Sequence, residues 1–440
     1  LGSQSVEKRR LLIGGVSCDE LADRFGTPLY LFDASDAREK IERFVSAADA
    51  TGEAVSIAFA SKANGALSVL KLMLDAGLDV DVASEGELEG AVRAGFPPER
   101  IQMHGSNKSD AEIETAVRMG IKTIVLDNVR DIQKTSEVCE SLGRSQNVMI
   151  RLAPGIHPET HEAISTGQDD TKFGFNISDG AARDAVERIS RCGLLHFAGI
   201  HMHIGSQLME GSGIEAGAHR MAQFAIEIRP MVGTLEEINC GGGLGIRYLP
   251  SDALEPIQSF VSRIVGACTK PFRDLGMPPP RVGFEMGRYF VGEAGSTLYR
   301  IGRIKTVPIG NGKTRTYASV DGGLADNPRP QLYGAVYYAL NASRPDEPHD
   351  APFRIAGRHC ETDRLIPEVH LPAATREGDL LLVQCTGAYN FSMASNYNRY
   401  PRPAMVIVAD GEPFLAVERE TVADLFSHER IRSTIGTIRQ

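Results

Sequence analysis

"AFASKANG", residues 58–65, reads as a buried strand interrupted at Lys62 by a charge and then broken at Ala63-Asn64-Gly65 before a helical run with Leu67, Leu70 and Leu74 on one face. The same sentence structure recurs along the chain. Aliphatic or β-branched runs stand near 55–61, 78–83, 100–104, 122–126, 147–152, 197–203, 236–240 and 281–285, and each ends in polar or glycine residues. Between them lie stretches with apolar residues three and four apart, such as Leu88-Val92 and Met221-Phe224-Ile228. About eight strand–helix units within ~240 residues predict an α/β protein built on a (β/α)8 TIM-like barrel, because strands apolar on both faces need helices outside them. A doubly wound open sheet is the competing topology.

After about residue 298 the texture changes. "TRTYASV", "AVYYAL", "DLLLVQC" and "PAMVIVA" are separated by Pro, Gly, Asn and Asp turns, which predicts a C-terminal all-β domain. The expected organisation is an N-terminal segment over 1–28 packing with that domain, a barrel over 29–297 and the β domain over 298–440. The first apolar strand of the N-terminal segment is expected to join the β domain.

Composition narrows the partners. The chain of 440 residues is 42% hydrophobic and carries a net charge of -10 with no basic run, which argues against a nucleic-acid backbone or an anionic membrane and for a small molecule. Seven cysteines at irregular spacing, without a C-x-x-C pair, fit a reducing compartment, and no apolar stretch approaches ~18 residues, so the expected location is cytoplasmic.

A barrel gathers its strand C-termini on one face. That face would carry Lys62, Asp81 and Ser84, His104, Arg151, His203 with Ser206, the glycines Gly241, Gly242 and Gly243, and Glu285, Gly287 and Arg288. A single strand-end lysine is usually a snorkelling surface residue; seven convergent polar strand ends outweigh that reading. A lysine at an apolar site can shed its proton and condense with an aldehyde cofactor, of which pyridoxal 5'-phosphate is the common one. "CGGGLG" after a strand offers free N–H groups to a phosphate, and Glu285 offers a carboxylate to a ring nitrogen. His201 and His203 in "GIHMHIGSQL" share one strand face, so a metal pair is the rival to an imidazole stacked on the ring; without a third ligand at an obvious spacing no metal is expected.

"FASKANG", "HMHIGSQ", "NCGGGLG", "EMGRYFV", "HCETD" and "GAYNFSMASNYNRYPRP", in that order, together resemble the alanine-racemase-fold amino acid decarboxylases, above all their diaminopimelate branch. The segment "HPETHEAISTGQDDTKFGF" is similar to that branch as well, and the match runs from about residue 22 to 409. The resemblance implies a lyase of amino-acid biosynthesis that turns meso-diaminopimelate into L-lysine, working as a head-to-tail homodimer with shared active sites. It implies Lys62, His203 and Cys360 as catalytic residues. It implies cofactor contacts from Lys62, Asp81, Arg151, His203, Ser206, Gly242 and Gly243, and from Glu285, Gly287, Arg288 and Tyr389. Substrate would meet Arg288, Arg329, Tyr333, Glu361 and Tyr389, with Cys360 and Glu361 arriving from the partner subunit. Phe59 stands where the family usually has tyrosine and Met286 where it has proline. Thr362-Asp363-Arg364 replaces the usual Ser-Gly-Asp, so Arg364 would invert a charge near the distal end of the substrate. The alternatives are the same chemistry on another substrate of secondary metabolism, a siderophore citrate conjugate or a basic amino acid, and a catalytically inactive regulatory homologue.

Overall fold

A computed structural model describes residues 4–7, 9–156 and 170–431. Eight parallel strands, numbered here one to eight, are Val55–Ala60, Asp79–Val82, Ile101–Met103, Thr123–Leu126, Gln146–Ala153, Leu195–His201, Glu237–Asn239 and Arg281–Met286. Each pairs with the next, and strand eight returns to strand one with Glu285 opposite Ala58, so the sheet closes and the open-sheet alternative falls. The strands stand where the apolar runs predicted them. Buried on both faces, they need no alternation to be recognised.

The helices pack on the outside, but in Leu67–Asp75 the buried face is Val69, Leu70 and Met73, and Leu67, read as part of that face, stands exposed. Ser84 does not join the rim chemistry. Its hydroxyl accepts the Glu87 N–H at 3.2 Å and caps the helix Glu85–Arg93, the ordinary work of a serine at that position.

The second sheet is built around the 14-residue strand Gly295–Pro308, which pairs antiparallel with Leu29–Asp33, Thr314–Val320 and Leu380–Val383. Leu29–Asp33 is therefore a correction to the expected boundary: "LYLFD" is buried throughout and looks like a barrel strand, yet its hydrogen bonds go to Gly295–Pro308 and to Ala404–Ala409. Asp33 then caps the helix Ala34–Asp49, which carries the chain across to the barrel. The preceding strands Gln4–Glu7, Arg10–Ile13 and Val16–Ser17 form a separate three-stranded sheet rather than joining the large one. Its Leu11, Ile13 and Val16 pack in one apolar cluster with Leu29, Leu298, Leu382 and Val406. Among the described residues no helix is long and apolar enough to cross a membrane.

The two sheets meet over the C-terminal mouth of the barrel. The Asn64 amide donates to the Gly387 carbonyl at 3.1 Å and the Tyr389 N–H to the Ala63 carbonyl at 2.7 Å, so the turn carrying Lys62 is held from the β domain.

Candidate active site

Strand one ends at Ala60, and the single 3-10 turn Ser61–Ala63 raises Lys62 into a cavity of about 280 Å³. Strand ends supply Asp81, Arg151 and Glu285 to its wall, and the loops after strands six, seven and eight supply His203 and Ser206, Gly242 and Gly243, and Gly287 and Arg288. The β domain closes it with Arg329, Tyr333 and Tyr389. Lys62 remains open to solvent through this cavity although protein surrounds it. Burial works against its charge, but the Asp81 carboxylate, with Tyr389 and Glu285 behind it, outweighs burial and raises its pKa above the ordinary lysine value. The strand-end carboxylates thus offset the burial that would strip the proton.

Glu285 sits at the floor. Its Oε1 accepts from His104 Nε2 at 3.0 Å and from Asn239 Nδ2 at 3.0 Å, and its Oε2 accepts from His201 Nε2 at 3.0 Å. Burial would push this carboxyl up; the hydrogen-bonding histidines beside it, His104 first and then His201, instead hold it well below the usual carboxylate range. Strand register makes the arrangement possible, since Asn239 lies opposite both His201 and Gly283, two residues before Glu285. His201 and His203 do not form the rival metal pair: His201 turns to Glu285, while His203 Nδ1 accepts the Gly242 N–H at 3.3 Å. The ligand atoms of His104, His201 and Glu285 do lie within 4.8 Å of one another, but each imidazole already points at a carboxylate oxygen at hydrogen-bond distance.

The glycines after strand seven have no room for side chains. A Cβ at Gly242 would stand 2.1 Å from the Glu285 carbonyl oxygen, and one at Gly243, whose φ is +121°, 2.6 Å from that of Gly205. The Asn239 amide oxygen accepts the Gly241 N–H at 2.8 Å, so one side chain ties this loop to Glu285. Beside the loop, Arg288 donates to the Ser206 hydroxyl at 3.0 Å and to the Tyr248 hydroxyl, and Arg329 Nη1 reaches the same Tyr248 oxygen at 3.4 Å. Both guanidinium groups lie over the Tyr389 ring, at 4.8 and 5.6 Å. Tyr389 holds a left-handed φ of +64°, a conformation that a bulky residue rarely adopts outside a site that uses it. The Arg329 Nε is buried without a hydrogen-bond partner, which leaves a cation with donor capacity to spare at the cavity wall.

Two predicted residues are absent from this cavity. Cys360 and Glu361 are exposed on the loop between Ala351–Ala356 and Arg364–Leu371, where the Cys360 N–H donates to Asn398 Oδ1 at 3.1 Å and Glu361 accepts from the Tyr397 hydroxyl. Arg364 is exposed as well and does not line the cavity; its carbonyl accepts from Gln331 at 3.3 Å. Asp363 does the local work instead. Buried at φ +30°, it accepts the Leu324 N–H at 2.9 Å and the His359 ring at 2.6 Å, so the loop turns there. The stretch 157–169, which carries the His and Ser-Thr-Gly positions of the resemblance, lies outside the described residues; Phe173, just beyond it, packs against the Arg151 guanidinium at 4.2 Å. Sequence reading missed Asn239 and Tyr248. For Asn239 the signal was present, a polar residue at the end of an apolar strand just before the glycines.

The side chains present fit pyridoxal phosphate. They offer an amine to an aldehyde, a glycine cradle that any Cβ would fill, paired cations for an anion, and a carboxylate for a ring nitrogen. Comparison with known proteins agrees. Residues 37–292 match the profile of the pyridoxal-dependent decarboxylase pyridoxal-binding domain. The chain is 42% identical over 427 residues to the diaminopimelate decarboxylase of Bacillus subtilis, covering 96% of each chain. It is 38% identical over 426 residues to that of Mycobacterium bovis, covering 95% of this chain and 94% of the relative. The crystal structure of diaminopimelate decarboxylase from M. jannaschii in co-complex with L-lysine superposes with a TM-score of 0.91 at 30% identity, covering 98% of both chains.

Proposed function

We propose that this chain, which belongs to the pyridoxal-dependent decarboxylase family, removes a carboxylate from meso-diaminopimelate and yields L-lysine. The observation that carries the reading is the Lys62 amine sharing one cavity with Glu285, a buried carboxylate kept ionised by three donors. Pyridoxal phosphate is the cofactor, and when bound it supplies an electron sink to the bond that breaks. Lys62 would hold it through its amine and His203 would lie against its ring. Glu285 would meet the ring nitrogen. Ser206, Gly242, Gly243 and Arg288 would take its phosphate, with Asp81, Arg151, Gly287 and Tyr389 completing the enclosure.

Arg329 and Tyr333, next to Arg288 and Tyr389, bind substrate carboxylate; the unpartnered Nε of Arg329 supports this. Decarboxylation then needs a proton delivered to Cα. Among the described residues no thiol of this chain lines the cavity, and Cys360 stands exposed outside it. This supports a homodimer in which Cys360 of the partner subunit supplies the proton and Glu361 of the partner subunit meets the distal ammonium. The enzyme works in the cytoplasm.

The test is release of CO2 and formation of lysine when the purified, cofactor-loaded protein meets meso-diaminopimelate. Release from lysine, ornithine or a citrate conjugate in its place would move the substrate, and release from none would overturn the reading.

A further inference from the structure

We propose that His104 and His201 are positioning residues that hold Glu285 as a carboxylate of low proton affinity and thereby keep the proton on the ring nitrogen of the bound cofactor; this rests on the cofactor reading above. An ionised carboxylate offers about four acceptor positions. The hydrogen bonds from His104 and Asn239 occupy both on Oε1, and that from His201 occupies one on Oε2. A single acceptor position remains, on a side chain that lines the cavity.

The two imidazoles are not equivalent. His201 Nδ1 is buried without a partner, so a second ring proton there would find no acceptor and His201 donates as a neutral ring. His104 Nε2 lies 3.0 Å from Glu285 and 3.8 Å from Asp81, between two carboxylates that favour its charged form. The rings are 4.7 Å apart, a spacing that disfavours two imidazolium charges and accommodates one. Lys62 and Arg151 add further positive charge around Glu285, and Asp81 adds negative. A carboxylate so surrounded is a poor base. A proton shared between it and a pyridine nitrogen stays on the nitrogen, which is the state in which the ring accepts electrons.

The test uses the cofactor-stripped full-length protein titrated with pyridoxal phosphate and, separately, with its analogue in which the ring nitrogen is replaced by C–H. His104→Ala is expected to weaken binding of pyridoxal phosphate roughly tenfold more than binding of the analogue, because the lost charge-assisted bond acts through the nitrogen. Equal weakening of both would reduce His104 to a packing role and overturn the proposal. His104→Gln keeps volume and a donor but no charge, so it decides the matter if the alanine variant does not fold. With ring-15N-labelled cofactor, the wild type is expected to show a protonated nitrogen and both His104→Gln and His201→Ala a shift toward the neutral one; a signal that stays protonated in both overturns the inference. A wild-type protein that binds neither compound would instead refute the cofactor reading itself.

Discussion

The floor of the barrel mouth and the loop 357–364 of the β domain are both dense in functional side chains, yet they are built in opposite ways. At the floor, Glu285, His104, His201 and Asn239 come from four strand ends, bond one another and face inward. In the loop, Asp363 and His359 bond one another beneath the surface and leave Cys360 and Glu361 facing out. The first arrangement is complete within one chain, because charge must be held fixed and dry where electrons are to be drawn off. The second is a firm base with an unfinished top. In the proposed dimer that top would face the partner subunit's cavity.

The most severe way to break this contrast is at Lys62. Lys62→Ala should abolish decarboxylation and the visible absorbance of the loaded enzyme while far-UV circular dichroism stays that of the wild type, since the side chain stands in a cavity and supports no core. Retained turnover would remove the barrel mouth from the chemistry. Cys360→Ala should cost roughly 10²–10⁴-fold in kcat with cofactor binding intact, as expected for loss of a positioned proton donor. Mixing the two inactive variants under subunit exchange should then restore about a quarter of wild-type activity, because half the dimers would be hybrids with one intact site of two. No recovery despite exchange shown by mass spectrometry would mean that the loop serves nothing outside its own chain.

Smaller effects sharpen the reading of the loop. Asp363→Ala unpairs the Leu324 and His359 groups and is expected to lower unfolding free energy by about 3 kcal/mol in urea titration. A neutral result would show that the turn is held some other way. Arg364→Asp should leave kcat/KM for meso-diaminopimelate within about threefold, given that surface substitutions away from a site do little. A tenfold change would show that Arg364 reaches a neighbouring subunit's substrate.

The residues that line the cavity are largely legible in the sequence. Lys62, Asp81, Arg151, His203, Gly242 and Glu285 each end an apolar run or follow one, and a closed parallel barrel carries every such end to one mouth. The roles inside the mouth are less so. In the sequence His201 enters only with His203, as a metal pair disfavoured against a stacked ring, and neither reading carries its contact with Glu285. Ser84 sits at a strand end like the others and turns out to cap a helix.

By itself the sequence determined the eight strands, the change to a β domain and the identity of the rim, because an apolar run and its polar end are local features that burial on both faces makes readable. Only the tertiary structure decided which sheet Leu29–Asp33 would join, that Asp363 would hold its turn against Leu324 and His359, and that His104 and Glu285, 181 positions apart, would share a hydrogen bond. Sheet edges and buried charges choose partners by proximity after the chain has closed on itself, and a local pattern carries no record of that choice.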